Sequence, residues 1–255
     1  MKKIRKEDVD QGVFDLYDAY AHNQIDRREF MDRLSTYAVG GITLMSLMSF
    51  IMPDYKNKLQ VGQDDPRLDT QYITYHSPDG GGDIKALLAR PAGSEGKKLP
   101  GIVVVHENRG LNPHIEDVCR RAALEGYIAL APDALTPLGG YPGNDDDGRA
   151  LQRQRDRYKM LEDFISGFKY LKSHEDCTGK VGVVGFCFGG WISNMMAIRL
   201  PELGAAVPFY GGQPPADLVS DLQAPIMLQY AGLDERVNKG WPAYEAALLA
   251  NDKQY

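Results

Sequence analysis

The sequence predicts an α/β fold with a mostly parallel sheet covered by helices on both faces. Short apolar runs alternate with helical patterns from about residue 70 onward, and such alternation needs crossover helices. An opening hairpin precedes the alternation: Gln71–His76 and Ile84–Arg90 flank the turn Pro78-Asp79-Gly80-Gly81-Gly82. Directly after the apolar run Lys180–Val184 stands Gly185-Phe186-Cys187-Phe188-Gly189-Gly190. There a residue able to act as nucleophile has glycines two positions away on each side, and an apolar helical pattern follows.

Further elements follow in order. Gly101–His106 reads as a buried strand, Ile115–Glu125 as a helix and Tyr127–Ala131 as a strand. Arg149–Lys172 reads as one long helix and Cys187–Leu200 as the helix after the elbow. Ala205–Tyr210 and Pro225–Tyr230 read as strands, and Pro242–Asn251 as a helix. Domain boundaries are expected at 1–65, a helical extension with linker, and 66–255, the α/β domain. In the extension, Asp8–Asn23 forms an amphipathic pattern through Val13, Leu16, Tyr17 and Tyr20, and Asp26 with Glu29 resembles a capping box.

Arg27-Arg28-Glu29-Phe30 precedes the uncharged stretch Leu34–Pro53 and resembles a twin-arginine export signal. Asp32 and the lack of an Ala-x-Ala site before Asp54 speak against it. Three outcomes stay open: a periplasmic protein, a membrane-anchored one with residues 34–53 in contact with lipid, or a cytoplasmic one whose extension docks as helices.

Composition narrows the function. A net charge of −6 leaves no basic surplus for nucleic acid. Cys119, Cys177 and Cys187 form no Cys-x-x-Cys pair and no disulfide framework. Cys119 reads as core, and Cys177 as lying in a polar turn. Asp145-Asp146-Asp147-Gly148 fails the calcium-loop pattern, with Gly143 at its first ligand position and Gln154 at its twelfth, and reads as a solvated loop. No metal and no cofactor is expected.

The Cys187 pattern reads as a nucleophile elbow, in which a tight strand-to-helix turn lifts the nucleophile above the sheet beside a helix N-terminus. A buried structural cysteine beside helix-packing glycines is the competing reading. Ligands in parallel sheets bind beyond the carboxyl ends of strands. That singles out the elbow, the segment His106-Glu107-Asn108-Arg109-Gly110, and the segment Ala231-Gly232-Leu233-Asp234-Glu235.

These residues, with Ala131-Pro132-Asp133 and Tyr210-Gly211-Gly212, resemble the dienelactone hydrolase family of α/β-hydrolases from about Gln71 to the end. The resemblance implies the α/β-hydrolase fold and hydrolysis of a small ester or lactone by a Cys-Asp-His triad. It implies Cys187 as nucleophile, Asp234 as triad acid and Glu107 as the carboxylate contacting the resting nucleophile. The backbone amides of Phe188 and Asn108 match the oxyanion hole. Tyr158 matches a substrate-binding tyrosine, and Arg153 and Arg155 straddle the place of its partner arginine, Arg155 being the candidate. Two alternatives stay open: Glu107 caps a turn or pairs Arg109, and Asp234 caps the following helix.

All five histidines precede Asp234. The family's histidine would follow a helix, a strand and a loop, roughly 30 residues on. The expectation is a chain lacking the last strand and helix. It is then either a hydrolase short of its final segment or an inactive hydrolase-like protein.

Overall fold

A computed structural model describes residues 4–55 and 57–255. The chain divides into two compact units, residues 1–58 and 59–255.

Among its described residues the first unit holds a short 3-10 turn (Lys6–Asp8) and the α-helices α1 (Gln11–Ala21), α2 (Arg27–Ser35) and α3 (Leu44–Ile51). Asp10 caps α1 by accepting from the Gly12 amide, and Asp26 caps α2 by accepting from that of Glu29. Val13, Leu16, Tyr20, Phe30, Leu34 and Leu47 form its core, with the Tyr20 and Phe30 rings stacked 4.5 Å apart. The apolar stretch 34–53 is not one helix. Gly40 and Gly41 take φ of 63° and 87° and break it, leaving eight residues for α3. Among the described residues no helix is long and apolar enough to cross a membrane.

The second unit is built on a six-stranded mixed sheet in the order β1-β2-β4-β3-β5-β6. β1 (Leu68–Ser77) and β2 (Gly82–Pro91) form the antiparallel hairpin, and β2 runs antiparallel to β4 (Ile128–Pro132). β3 (Leu99–Val105), β4, β5 (Cys177–Phe186) and β6 (Ala206–Phe209) pair in parallel. Alternate residues of β3 point to opposite faces. Val103 and Val105 join a core with helix α6 (Arg157–Ser173) and helix α7 (Phe188–Arg199). Ile102 and Val104 pack with helix α4 (Pro113–Leu124) on the other face.

Three local expectations are corrected. The region 149–172 holds two helices, α5 (Asp145–Gln152) and α6, because the Asp156 carboxylate accepts from the Tyr158 and Lys159 amides and starts a new helix. Asp145–Asp147 form the first turn of α5 rather than a solvated loop, with Asn144 as the cap. Cys177 is buried at the start of β5 instead of lying in a polar turn.

Residues 225–230 pair with β6 only through the bridges Ala206↔Ile226 and Phe209↔Gln229. Pro208 offers no N–H between those bridges, so the expected ladder is interrupted. Beyond it come the short helix α8 (Glu235–Asn238) and helix α9 (Trp241–Ala250).

Candidate active site

β5 ends at Phe186 and α7 begins at Phe188, so the whole turn falls on Cys187, whose φ is 55° and ψ −110°. Such a conformation in a non-glycine residue costs about 1–3 kcal/mol and persists only where the surroundings dictate it. They do so here. The Cys187 amide donates to the Phe209 carbonyl at 3.0 Å, and the Cys187 carbonyl accepts from the Gly190 and Trp191 amides. A Cβ on Gly189 would stand 2.5 Å from the Val105 carbonyl oxygen, and one on Gly190 the same distance from that of Phe209. The glycines are therefore space requirements. The amide of Phe188, at the first helical position, has no carbonyl one turn back, and the positive end of α7 lies beside the Cys187 side chain.

The loop after β3 meets the elbow. The His106 carbonyl oxygen is 2.7 Å from where a Gly189 Cβ would stand, and the His106 and Phe188 rings stack at 6.2 Å. His106 is fully buried. Its Nε2 accepts from the Ala134 amide at 3.2 Å, so the proton sits on Nδ1, which donates to the Glu107 carbonyl at 2.6 Å. Burial holds its pKa below the ordinary 6.5, against the opposing pull of Asp133. Asp133 fixes the same loop. Its Oδ1 accepts from the Leu111 and Leu135 amides and its Oδ2 from that of Tyr141.

Glu107 faces Arg109, whose Nε lies 3.5 Å from Glu107 Oε2. Arg109 Nη1 donates to Asp145 Oδ2 at 2.9 Å, and the Tyr141 hydroxyl donates to Asp145 Oδ1 at 3.1 Å. Tyr210 closes the group from the loop after β6, with the unusual φ of 38°. Its phenol pKa is raised by burial first, then by the charges of Glu107 and Cys187, while Arg109 opposes them. Cys187, Glu107, Arg109 and Tyr210 thus share one neighbourhood at the carboxyl ends of β3, β5 and β6.

The other residues singled out from sequence have different surroundings. Asp234 Oδ1 accepts from the Val237 amide at 3.0 Å as the cap of α8, and its Oδ2 lies 3.6 Å from Arg236. Asn108 follows Glu107 on the same loop. Arg155 is not poised for substrate. Its guanidinium is buried, donating to Asp163 Oδ2 at 2.9 Å and to the Ala134 carbonyl. Asp163, itself inaccessible, also accepts from the Gly81 amide. Tyr158 is 58% exposed and meets Trp191 edge-on, and Arg157 lies 3.6 Å over the Trp191 ring.

Sequence reasoning placed Asp133 and Tyr210 in the motifs that carry the resemblance but gave neither a role, and it missed Asp145. The one local signal was Asn144 three residues before Asp147, a capping pattern that makes 145–147 helical. Among the described residues, no group of three or more His, Cys, Asp or Glu is arranged to hold a metal ion.

Two predictions follow from the burial. Cys119 is fully buried, with its thiol pushed up to about 12 by desolvation, Cys177 is buried, and Cys187 is partly accessible. Brief iodoacetamide treatment and peptide mapping should label Cys187 first; equal labelling of all three would contradict the elbow. For His106, the unfolded chain binds a proton below about pH 6.5 that the folded state resists, so stability is full at neutral pH and falls as pH drops through that value. The slope from this group is at most about 1.4 kcal/mol per pH unit. His106→Gln should flatten the pH 5–7 stability profile in denaturant titrations, and an unchanged slope would show that His106 is not its source.

Comparison with known proteins agrees with this geometry. Residues 1–40 match a family described as YqhI-like. The hydrolase fragment YghX of Escherichia coli (strain K12), so named provisionally, is 55% identical over 115 residues, covering 45% of this chain and 97% of that protein. A provisionally named carboxymethylenebutenolidase of Salmonella typhi is 33% identical over 188 residues, covering 64% of this chain and 69% of its own length. The crystal structure of a provisionally named dienelactone hydrolase from Klebsiella pneumoniae subsp. pneumoniae MGH 78578 superposes with a TM-score of 0.62 at 27% identity, covering 73% of this chain and 83% of that one. The dienelactone hydrolase family model matches residues 84–255, and the chain belongs to that family.

Proposed function

We propose that the protein cleaves the ester or lactone bond of a small molecule with Cys187 as nucleophile. The observation carrying this reading is the forced positive φ at Cys187, which lifts its side chain to the start of α7, where the loops bearing Glu107 and Tyr210 pack on the elbow. The Cys187 sulfur attacks the carbonyl carbon, and the thiol proton passes to a nearby base. The oxyanion accepts from the Phe188 and Asn108 amides; such a donor is typically worth about 3 kcal/mol. Collapse expels the alkoxide, which takes up a proton, and leaves a thioester that water hydrolyses to the acid and the free thiol.

Glu107 is the neighbouring group able to receive the thiol proton. His106 is not the triad base, because both ring nitrogens are engaged within the fold. Asp234 stands at the family position of the triad acid, and in the structure its carboxylate caps α8. The names of the relatives favour an enol-lactone substrate. With Arg155 committed to Asp163, contact with a substrate anion falls to Arg157 at the Trp191–Tyr158 rim.

Incubation with p-nitrophenyl acetate should acetylate Cys187, read by intact mass and peptide mapping. Cys187→Ala should abolish both the adduct and any turnover, a loss of at least about 10³-fold. An adduct without turnover would keep Cys187 as nucleophile and favour the inactive hydrolase-like reading. Unchanged hydrolysis in Cys187→Ala would overturn the proposal.

A further inference from the structure

Arg109 stands between two carboxylates that come from distant parts of the chain. Glu107, on its own loop, is 3.5 Å away, while Asp145, in the first turn of α5, is 2.9 Å away and hydrogen-bonded. All three side chains are largely buried, at 8%, 17% and 12% exposure for Arg109, Glu107 and Asp145. The shorter contact is the one with Asp145. The backbone makes the arrangement stiff. A Cβ on Gly148 of α5 would collide with the Arg109 carbonyl, so α5 is seated directly on the loop. Tyr141 fixes the second oxygen of Asp145.

We propose that Asp145 is a positioning residue for the nucleophile: it draws the Arg109 guanidinium away from Glu107 and so leaves a negative carboxylate beside Cys187. This rests on the reading of Cys187 as nucleophile. The loop that carries Glu107 and Arg109 packs on the elbow through the His106 carbonyl against Gly189, and Tyr210, on the loop after β6, feels the charges of Glu107, Cys187 and Arg109 together. Asp145 and Tyr141 join these groups through Arg109, and His106 is neutral and turned into the fold. A carboxylate left without its arginine partner disfavours a thiolate beside it. A segment outside the loop that bears Glu107 thereby sets the reactivity of the site. The proton lost by the thiol on activation has Glu107 as its acceptor, and Asp145 keeps that acceptor available.

The test measures the pH dependence of iodoacetamide alkylation at Cys187 by peptide mapping, in the full chain. It needs no turnover, so it can fail or succeed independently of the hydrolase assignment. Asp145→Asn returns Arg109 to Glu107, and alkylation at pH 7 should rise about three- to tenfold with the profile moved to lower pH. Arg109→Gln should lower the rate by a similar factor and move the profile the other way. Asp145→Asn in the Arg109→Gln background should have little further effect, because the coupling runs through the guanidinium. Asp146→Asn removes an ion pair with Arg149 in the same helical turn and should leave the profile in place. The proposal is overturned if Asp145→Asn leaves the profile unmoved, or moves it equally with and without Arg109. Should Asp145→Asn lose its helical circular dichroism, Tyr141→Phe, which only loosens Asp145, should shift the profile in the same direction by a smaller factor; no shift there also overturns the proposal.

Discussion

The structure depends on one backbone conformation, the positive φ at Cys187. It converts the end of β5 into the start of α7 within a single residue. The strain is held by close backbone contacts that admit no side chain: Gly185 against Gly189, Gly189 against β3, Gly190 and Gly211 against each other. These are contacts between main chains, which cannot swing aside as a side chain tip can, so the elbow conformation is imposed from three strands at once. The loop after β6 takes its share of the load. Asn194, buried on α7, donates to the Gly212 carbonyl and accepts from the Tyr244 hydroxyl of α9, tying that loop to two helices. Tyr210 is left with its own positive φ as a result of the same fit.

Around the elbow the polar groups divide into those that hold and those that are available to react. Asp133 spends its oxygens on three amides and binds the loops after β3 and β4 together. Asp163 and Arg155 form a buried pair that joins α6 to the β1–β2 turn and to Ala134. Breaking such a pair from one side typically costs about 3–5 kcal/mol, which fits a role in the fold rather than in substrate capture. His106 continues this network from the Ala134 amide to the Glu107 carbonyl. The reacting side of the site is narrower: Cys187, Glu107, the Arg109 guanidinium between its two carboxylates, and Tyr210.

Much of the second unit was legible in the sequence because its signals are local. Ile102-Val103-Val104-Val105 is apolar throughout since alternate residues feed opposite cores, and the elbow glycines announce the tight turn by spacing alone. Features that depend on distant partners were not legible. Asp145-Asp146-Asp147 looks like a solvated charge run until Arg109, far back in the chain, is seen to meet it. Arg155 looks available on a basic helix face until Asp163 is seen to bury it. The break before α6 carries no glycine or proline; it comes from the Asp156 cap. In the first unit, the uncharged stretch suggested a span, and Gly40 with Gly41 turned it into a short helix instead.

The most direct test of this account is a crystal structure of the protein after reaction with an ester-like chloromethyl ketone. The account predicts a thioether on Cys187 Sγ, the ketone oxygen within hydrogen-bond distance of the Phe188 and Asn108 amides, and the positive φ at Cys187 unchanged. Alkylation of another side chain, or a Cys187 adduct whose oxygen points away from both amides, would contradict it.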